Sequence, residues 1–243
     1  MRRTGLLAVA TLLSTVLVAC YPAPADRLPD LRMARLADIS LNRTADGRTL
    51  LRFTTIIVNV GAGPFELHGS RPSTGTANMS VVQRVTNDQG GSRNVSTSAT
   101  MYYSGDGHNH WHVRNLQTYV LDRLDNGHRV GTGAKHGFCF WDNVAFRLSL
   151  PRAPQEPVYR GCGVASALQV TVGQSVGWGD RYSATIPDQY IDVTGLGSGR
   201  YRLTATADAA NWFVEASNGN NATWVDLDFR SRKVSVVGYG PSA

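Results

Sequence analysis

The sequence predicts an all-β protein, a single β-sandwich-like domain of short antiparallel strands joined by long loops. Three observations predict it. Short runs rich in Val, Ile, Thr, Tyr and Phe recur along the chain and partly alternate in polarity, as half-buried strands do. Gly, Asn and Pro punctuate most joints between them, the residues that tight turns require. No long window carries the 3.6-residue period of an amphipathic helix. With no internal repeat, this pattern argues for a sandwich.

Residues 1–19 read as a signal peptide. Arg2 and Arg3 give a positive start, and the apolar run Leu6 to Val18 is too short to span a bilayer comfortably. Leu17-Val18-Ala19-Cys20 resembles a bacterial lipobox. It implies cleavage before Cys20, a lipid on the Cys20 sulfur and attachment to a membrane. An ordinary secretion signal with an incidental cysteine is the alternative. Either way the protein is exported, as a cell-envelope lipoprotein or to the extracellular space. Residues 20–30, rich in Pro and Ala, form the lipidated Cys and a tether. Residues 31–238 form the folded domain, long enough for a sizeable core.

Within that domain, Leu50 to Val60 is a β-branched strand ended by Gly61-Ala62-Gly63-Pro64. Ser80 to Thr86 and Arg93 to Ser98 flank Asn87-Asp88-Gln89-Gly90-Gly91, a hairpin. His110 to Leu121 reads as one strand, turned by Asp125-Asn126-Gly127. Lys135 to Asp142 reads as another, holding Phe138, Phe140 and Trp141. Pro151 to Tyr159 is a Pro-containing exposed loop. Leu168 to Val172, Gln189 to Val193, Tyr201 to Asp208, Thr223 to Phe229 and Val234 to Val237 complete the strands.

The formal net charge is +6, and Lys135 and Lys233 are the only lysines. Such a balance suits anionic envelope surfaces, although genome base composition explains an arginine-rich chain as well. No basic run is interleaved with aromatics, so nucleic acid is not a predicted partner. With Cys20 assigned to the lipid, Cys139 and Cys162 remain, and export makes a disulfide between them the natural reading, with two free buried thiols as the alternative.

The chemistry-bearing stretch is Gly105-Asp106-Gly107-His108-Asn109-His110-Trp111-His112-Val113, which holds half of the six histidines. In an extended strand residues two apart share a face. His108, His110 and His112 then project from one side and Trp111 and Val113 from the other. A bend at the Gly105/Gly107 entry is needed for three nitrogens to converge. A thiol-free imidazole set suits Cu(II), Zn(II), Ni(II) or Fe(II), with copper favoured by intrinsic affinity. Three protein ligands leave a position open, the catalytic pattern. A cupin-type site would add a carboxylate soon after the histidines, and Val113 to Thr118 has none.

Five segments in order resemble the catalytic domain of the lysyl oxidases, in a short bacterial form, from Leu28-Pro29-Asp30-Leu31 to about Phe229. Gly107 to His112 is similar to the family's copper motif. Gly133-Ala134-Lys135-His136-Gly137-Phe138-Cys139, followed by Trp141-Asp142, resembles the segment carrying its cofactor lysine. Gly179-Asp180-Arg181-Tyr182, then Gln189 to Thr194, resembles the segment carrying its cofactor tyrosine. Leu50 to Phe53 with Val58 to Gly61, and Gly199 to Leu203 with Asn218 to Asn221, are similar to early and closing strands.

The resemblance implies a copper-dependent amine oxidase. His108, His110 and His112 would bind copper, and Lys135 and Tyr182 would be joined into lysine tyrosylquinone. A primary amine, either a protein lysine side chain or a small amine, would be converted by molecular oxygen to an aldehyde, with hydrogen peroxide and ammonia released. The lysine and tyrosine are far apart in sequence, so only a fold could join them. Burying an ammonium in an apolar strand is costly, which fits a lysine captured covalently; a lysine that snorkels to water is the alternative. Asp180, two residues before the tyrosine and on its face in a strand, is the first choice for the general base, with Asp106 and Asp142 as alternatives. Asp106 could instead orient a copper-ligating imidazole. Tyr119 stands where the animal members carry a histidine, which removes that group as a base. Two other readings compete: a non-catalytic envelope copper-binding module, which would need neither Lys135 nor Tyr182, and an adhesion domain with incidental histidines.

Overall fold

The computed structural model describes residues 23–105, 109–231 and 233–243. The signal peptide and Cys20 lie outside them. Among the described residues there is no helix, and every strand pairing is antiparallel. The all-β expectation holds. Three sheets share one hydrophobic core.

The first sheet runs, in spatial order, Gly137–Phe138, His110–Arg114, Ser92–Ser104, Asn78–Asn87, Phe65–Ser70 and Gln169–Gln174. The second runs Arg129–Thr132, Gln117–Arg123, Gly199–Ala207, Ala222–Arg230 and Lys233–Tyr239. The third centres on the long strand Thr49–Asn59. It carries Trp178–Tyr182 and Val144–Ala145 at one end, Tyr190–Asp192 and Ala37–Arg43 at the other, and Leu31–Met33 beside it. In this strand Leu51, Phe53 and Ile57 are fully buried. The hairpin around Asn87–Gly91 pairs Thr86 with Ser92, and the Asn87 side chain accepts from the backbone of Gln89 and Gly91.

Two sequence expectations are corrected. His110 to Leu121 is not one strand. It breaks at Asn115, which takes a left-handed φ of 49°, a conformation that Asn tolerates. The first half stays in one sheet and the second half, from Gln117, enters another. β-forming residues stand on both sides of the break, so the stretch reads as continuous in sequence. Lys135 to Asp142 is not a strand either, apart from Gly137–Phe138. Beyond Phe138 the chain leaves the sheet and is fixed by other means. Cys139 is bonded to Cys162 with Cα atoms 5.9 Å apart. Asp142 accepts from the backbone of Val158, Tyr159 and Ser175 and from the Ser175 hydroxyl.

The disulfide spans a sequence separation of 23 residues. Chain-entropy reasoning assigns such a loop about 3 kcal/mol. The double variant Cys139→Ser/Cys162→Ser is therefore expected to unfold about 6–12 °C lower in a thermal melt. A melt within 1–2 °C (roughly the ordinary spread of surface variants) would show the bridge to be thermodynamically idle.

Candidate active site

Three sheets bring the site together. His110 and His112 lie on one strand with Trp111 between them, and the alternation works as expected: Trp111 and Val113 are buried in the core. The two imidazoles share a side, with Nε2 atoms 2.8 Å apart. The bend ahead of them falls at Asn109, which has a positive φ of 46°. His108 and Asp106 lie outside the described residues. Across the ladder Tyr102 pairs with His112, ring centroids 5.7 Å apart.

The segment carrying Lys135 is spliced between sheets. Gly133 forms an isolated bridge with Ile191, and Ala134 donates to the Tyr190 carbonyl. Two residues on, Gly137 and Phe138 pair with Arg114 and Val113 of the histidine strand. Gly137 must be glycine, since a Cβ there would sit 2.0 Å from the Tyr102 hydroxyl and 2.7 Å from His112 Nδ1. That close approach brings the lysine segment against the histidines. Lys135 is 5% exposed. Its Nζ lies 5.3 Å from the centroid of the Tyr182 ring and 5.4 Å from that of Phe138.

Tyr182 and Asp180 come from the strand Trp178–Tyr182, held against the long central strand in the register Tyr182 to Thr55 and Asp180 to Ile57. Both are buried, while Arg181 between them faces out. The Tyr182 hydroxyl donates to the carbonyl of Cys139, and its ring meets Phe138 edge-on at 5.1 Å. Burial raises the Tyr182 phenol well above the ordinary tyrosine range, helped by the Asp180 carboxyl. Asp180 is itself pushed up to about 8. Burial is the main cause, opposed by the Tyr182 hydroxyl, the Asn143 amide and the Lys135 ammonium. Tyr119 is fully buried beside them, bonded to Thr55 and Gln117, and burial raises it as well.

His110, His112, Asp180 and Tyr182 line one cavity of about 310 Å³, with the Cys139–Cys162 pair forming part of its wall. Trp141, Asn143, Gly161, Arg181 and Ile186 complete it. Asn143 escaped the sequence reading. Its Nδ2 donates to Asp180 Oδ1 at 2.5 Å, and its Oδ1 accepts from the Arg181 backbone at 2.9 Å. No sequence signal marks it, because its partner lies on another strand. Asp142, the alternative base, is buried and its oxygens are engaged by four donors. It braces a loop and does not line the cavity.

Nitrogens bound to one metal at about 2.0–2.1 Å and near a right angle lie about 3 Å apart. The His110–His112 spacing fits a shared ion. Among the described residues no group of three or more His, Cys, Asp or Glu side chains gathers around a metal position; His108 would have to supply the third. The buried lysine against a tyrosine ring, beside paired imidazoles, likewise fits a cofactor made from those two side chains.

An all-β domain with histidines, a carboxyl and a phenol around one small cavity has the makings of an oxidoreductase. The chain belongs to the lysyl oxidase family: the family's model, Lysyl oxidase, matches residues 78–238, more than half of it. The matched span contains every site residue named above. Family membership supports activity of the amine oxidase type. No curated protein matches the chain.

Proposed function

We propose that the protein is a copper-dependent amine oxidase. It would convert primary amines, either protein lysine side chains or small amines, to aldehydes through lysine tyrosylquinone formed from Lys135 and Tyr182. The observation that carries this reading is the buried Lys135 Nζ set 5.3 Å from the Tyr182 ring centroid. A lysine and a tyrosine without joint chemistry have no need of a common dry pocket. The net reaction balances as amine, oxygen and water giving aldehyde, ammonia and hydrogen peroxide.

His108, His110 and His112 would hold the copper, whose redox chemistry with oxygen builds the quinone. The quinone supplies an electrophilic carbonyl and an electron sink when formed. The remaining work falls to the chain. The Phe138 ring packs edge-on against Tyr182, and the disulfide walls the cavity that Tyr182 lines. The Cys139 carbonyl fixes the phenol oxygen, with the Lys135 Nζ over the ring. Asp180, with Asn143 donating to one of its oxygens, would take the proton from the carbon next to the substrate nitrogen. The protein would act outside the cytoplasm, consistent with the predicted signal at residues 1–19; within the expected tether, Asp26 and Arg27 pair with Asn87 and Thr86 of the first sheet.

Copper loading in air tests the reading. The mature protein should gain a visible quinone band and stain as a quinoprotein, and its intact mass should show one oxygen gained and hydrogens lost. A colourless protein of unchanged mass at full copper occupancy would leave a copper-binding module in place of an enzyme.

A further inference from the structure

We propose that Arg71 is a positioning residue for the copper site, acting on His110 and His112 through Trp111. The inference rests on the copper reading above and deepens it by naming what steadies the histidine strand from behind. Arg71 follows the strand Phe65–Ser70 and is buried. Its side chain donates to four backbone carbonyls: Nε to Ala167 at 2.9 Å, Nη1 to Thr76 at 3.0 Å and to Thr74 at 3.3 Å, and Nη2 to Ala165. Its backbone N–H donates to the Leu168 carbonyl at 3.0 Å. No ion pair among the described residues includes it. Its guanidinium instead lies over the Trp111 ring, with Cζ 4.6 Å from the centroid. A buried cation without a carboxylate is a costly way to fill a core. What the guanidinium supplies is geometry: its planar fork reaches two loops at once and stacks on a ring, whereas an ammonium is a point charge with no plane.

One of those loops grips the histidine strand. Residues 162–168 start at the disulfide, and the Cys162 carbonyl accepts from the Trp111 backbone N–H at 3.0 Å. The Val164 carbonyl accepts from Trp111 Nε1 at 2.9 Å, and from the Ala167 backbone at 3.0 Å. Arg71 thus fastens this loop at Ala165, Ala167 and Leu168, and the loop fastens Trp111 at its backbone and its indole. The indole is held on its face by Arg71, at Nε1 by Val164 and edge-on by Tyr103, ring centroids 5.8 Å apart. Trp111 is fully buried and stands between His110 and His112 in the chain. Its backbone therefore fixes where both imidazoles start, and a tilt of the indole would carry that backbone and spread the paired Nε2 atoms. Groups that orient metal ligands set affinity without touching the metal.

Cu(II) binding to the copper-free protein in the absence of air, read by chelator competition and by the copper EPR spectrum, tests this without turnover. Arg71→Lys keeps the charge and loses the fork. At a temperature where the variant is folded, it is expected to weaken Cu(II) binding by about tenfold or more and to change the copper hyperfine splitting. Trp111→Phe, which keeps a core ring and deletes the Nε1 bond, should cost a similar factor. The double variant should lose no more than the larger single loss, as for two residues acting through one contact. A lower melting temperature with wild-type copper affinity and spectrum in Arg71→Lys would show a merely structural arginine and overturn the proposal. Losses that multiply in the double variant would overturn the route through Trp111. Should Arg71→Lys not fold, Trp111→Phe decides alone: wild-type affinity overturns the proposal and a tenfold loss sustains it. A wild type that binds no Cu(II) would instead overturn the copper reading itself, and this inference with it.

Discussion

Lys135→Ala is expected to give a folded protein that binds copper and releases no peroxide from any amine. The side chain meets Phe138 and Tyr182 from a segment whose backbone is held by Ile191, Tyr190 and Arg114. Truncation therefore empties a pocket without unlatching the sheets. What disappears is the only amine beside the tyrosine ring: Lys233, the other lysine, lies on an edge strand of the second sheet. Loss of covalent capture leaves at most an unlinked oxidised tyrosine, so turnover should fall by at least about 10³-fold, the scale seen when a covalent catalytic group is deleted. Copper occupancy by metal analysis is the control and should be unchanged. Residual peroxide release above a tenth of wild type (a loss of roughly 1.4 kcal/mol or less) would remove Lys135 from the chemistry.

Asp180→Asn is expected to lower kcat by about 10²–10⁴-fold, the range for a positioned general base. The pH profile carries the sharper test. Burial raises the Asp180 carboxyl to about 8. Below that pH the group is protonated and cannot accept a proton; above it the group is ionised and can. A carboxyl of ordinary pKa would be ionised throughout the neutral range and leave no such limb. The rate limited by proton abstraction should therefore climb with pH through about 8 and then level. The Asn variant should lack this limb. An Asn variant whose residual rate climbs through the same region would show that the titration belongs to another group.

The division between what the sequence discloses and what it hides follows from distance along the chain. The central strand from Thr49 to Asn59 and the closing strands after Gly199 are legible because β-branched alternation is a local property. The hairpin at Asn87–Gly91 is legible because its turn chemistry is local too. The histidine pair is legible for the same reason: residues two apart in a strand must share a face. The switch of sheets at Asn115 is not, since β-forming residues stand on both sides of it while one left-handed residue redirects the chain. The Lys135 segment misleads because its aromatic residues mimic a strand, whereas only Gly137–Phe138 pairs in a sheet and Phe140 reaches the core from a backbone that the disulfide and Asp142 hold outside the sheets. Lys135 and Tyr182 are connected in sequence only by family resemblance. Asn143 against Asp180, and Trp141 with Ile186 at the cavity, depend on register between strands and on a loop path that no local pattern encodes.

The bond between Cys139 and Cys162 bears on when the protein can mature. The Cys139 carbonyl is the partner of the Tyr182 hydroxyl, so the thiol redox state and the posture of the phenol are mechanically linked. Wherever glutathione keeps both sulfurs reduced, the backbone at Cys139 loses one of its ties, beside the pairing of Phe138 with Val113 and the bond from Gly173 to the Phe140 carbonyl. The final posture of the phenol would then be set in an oxidising compartment. On the proposed function such a delay would be useful, because peroxide-generating self-processing would begin only in an oxidising compartment.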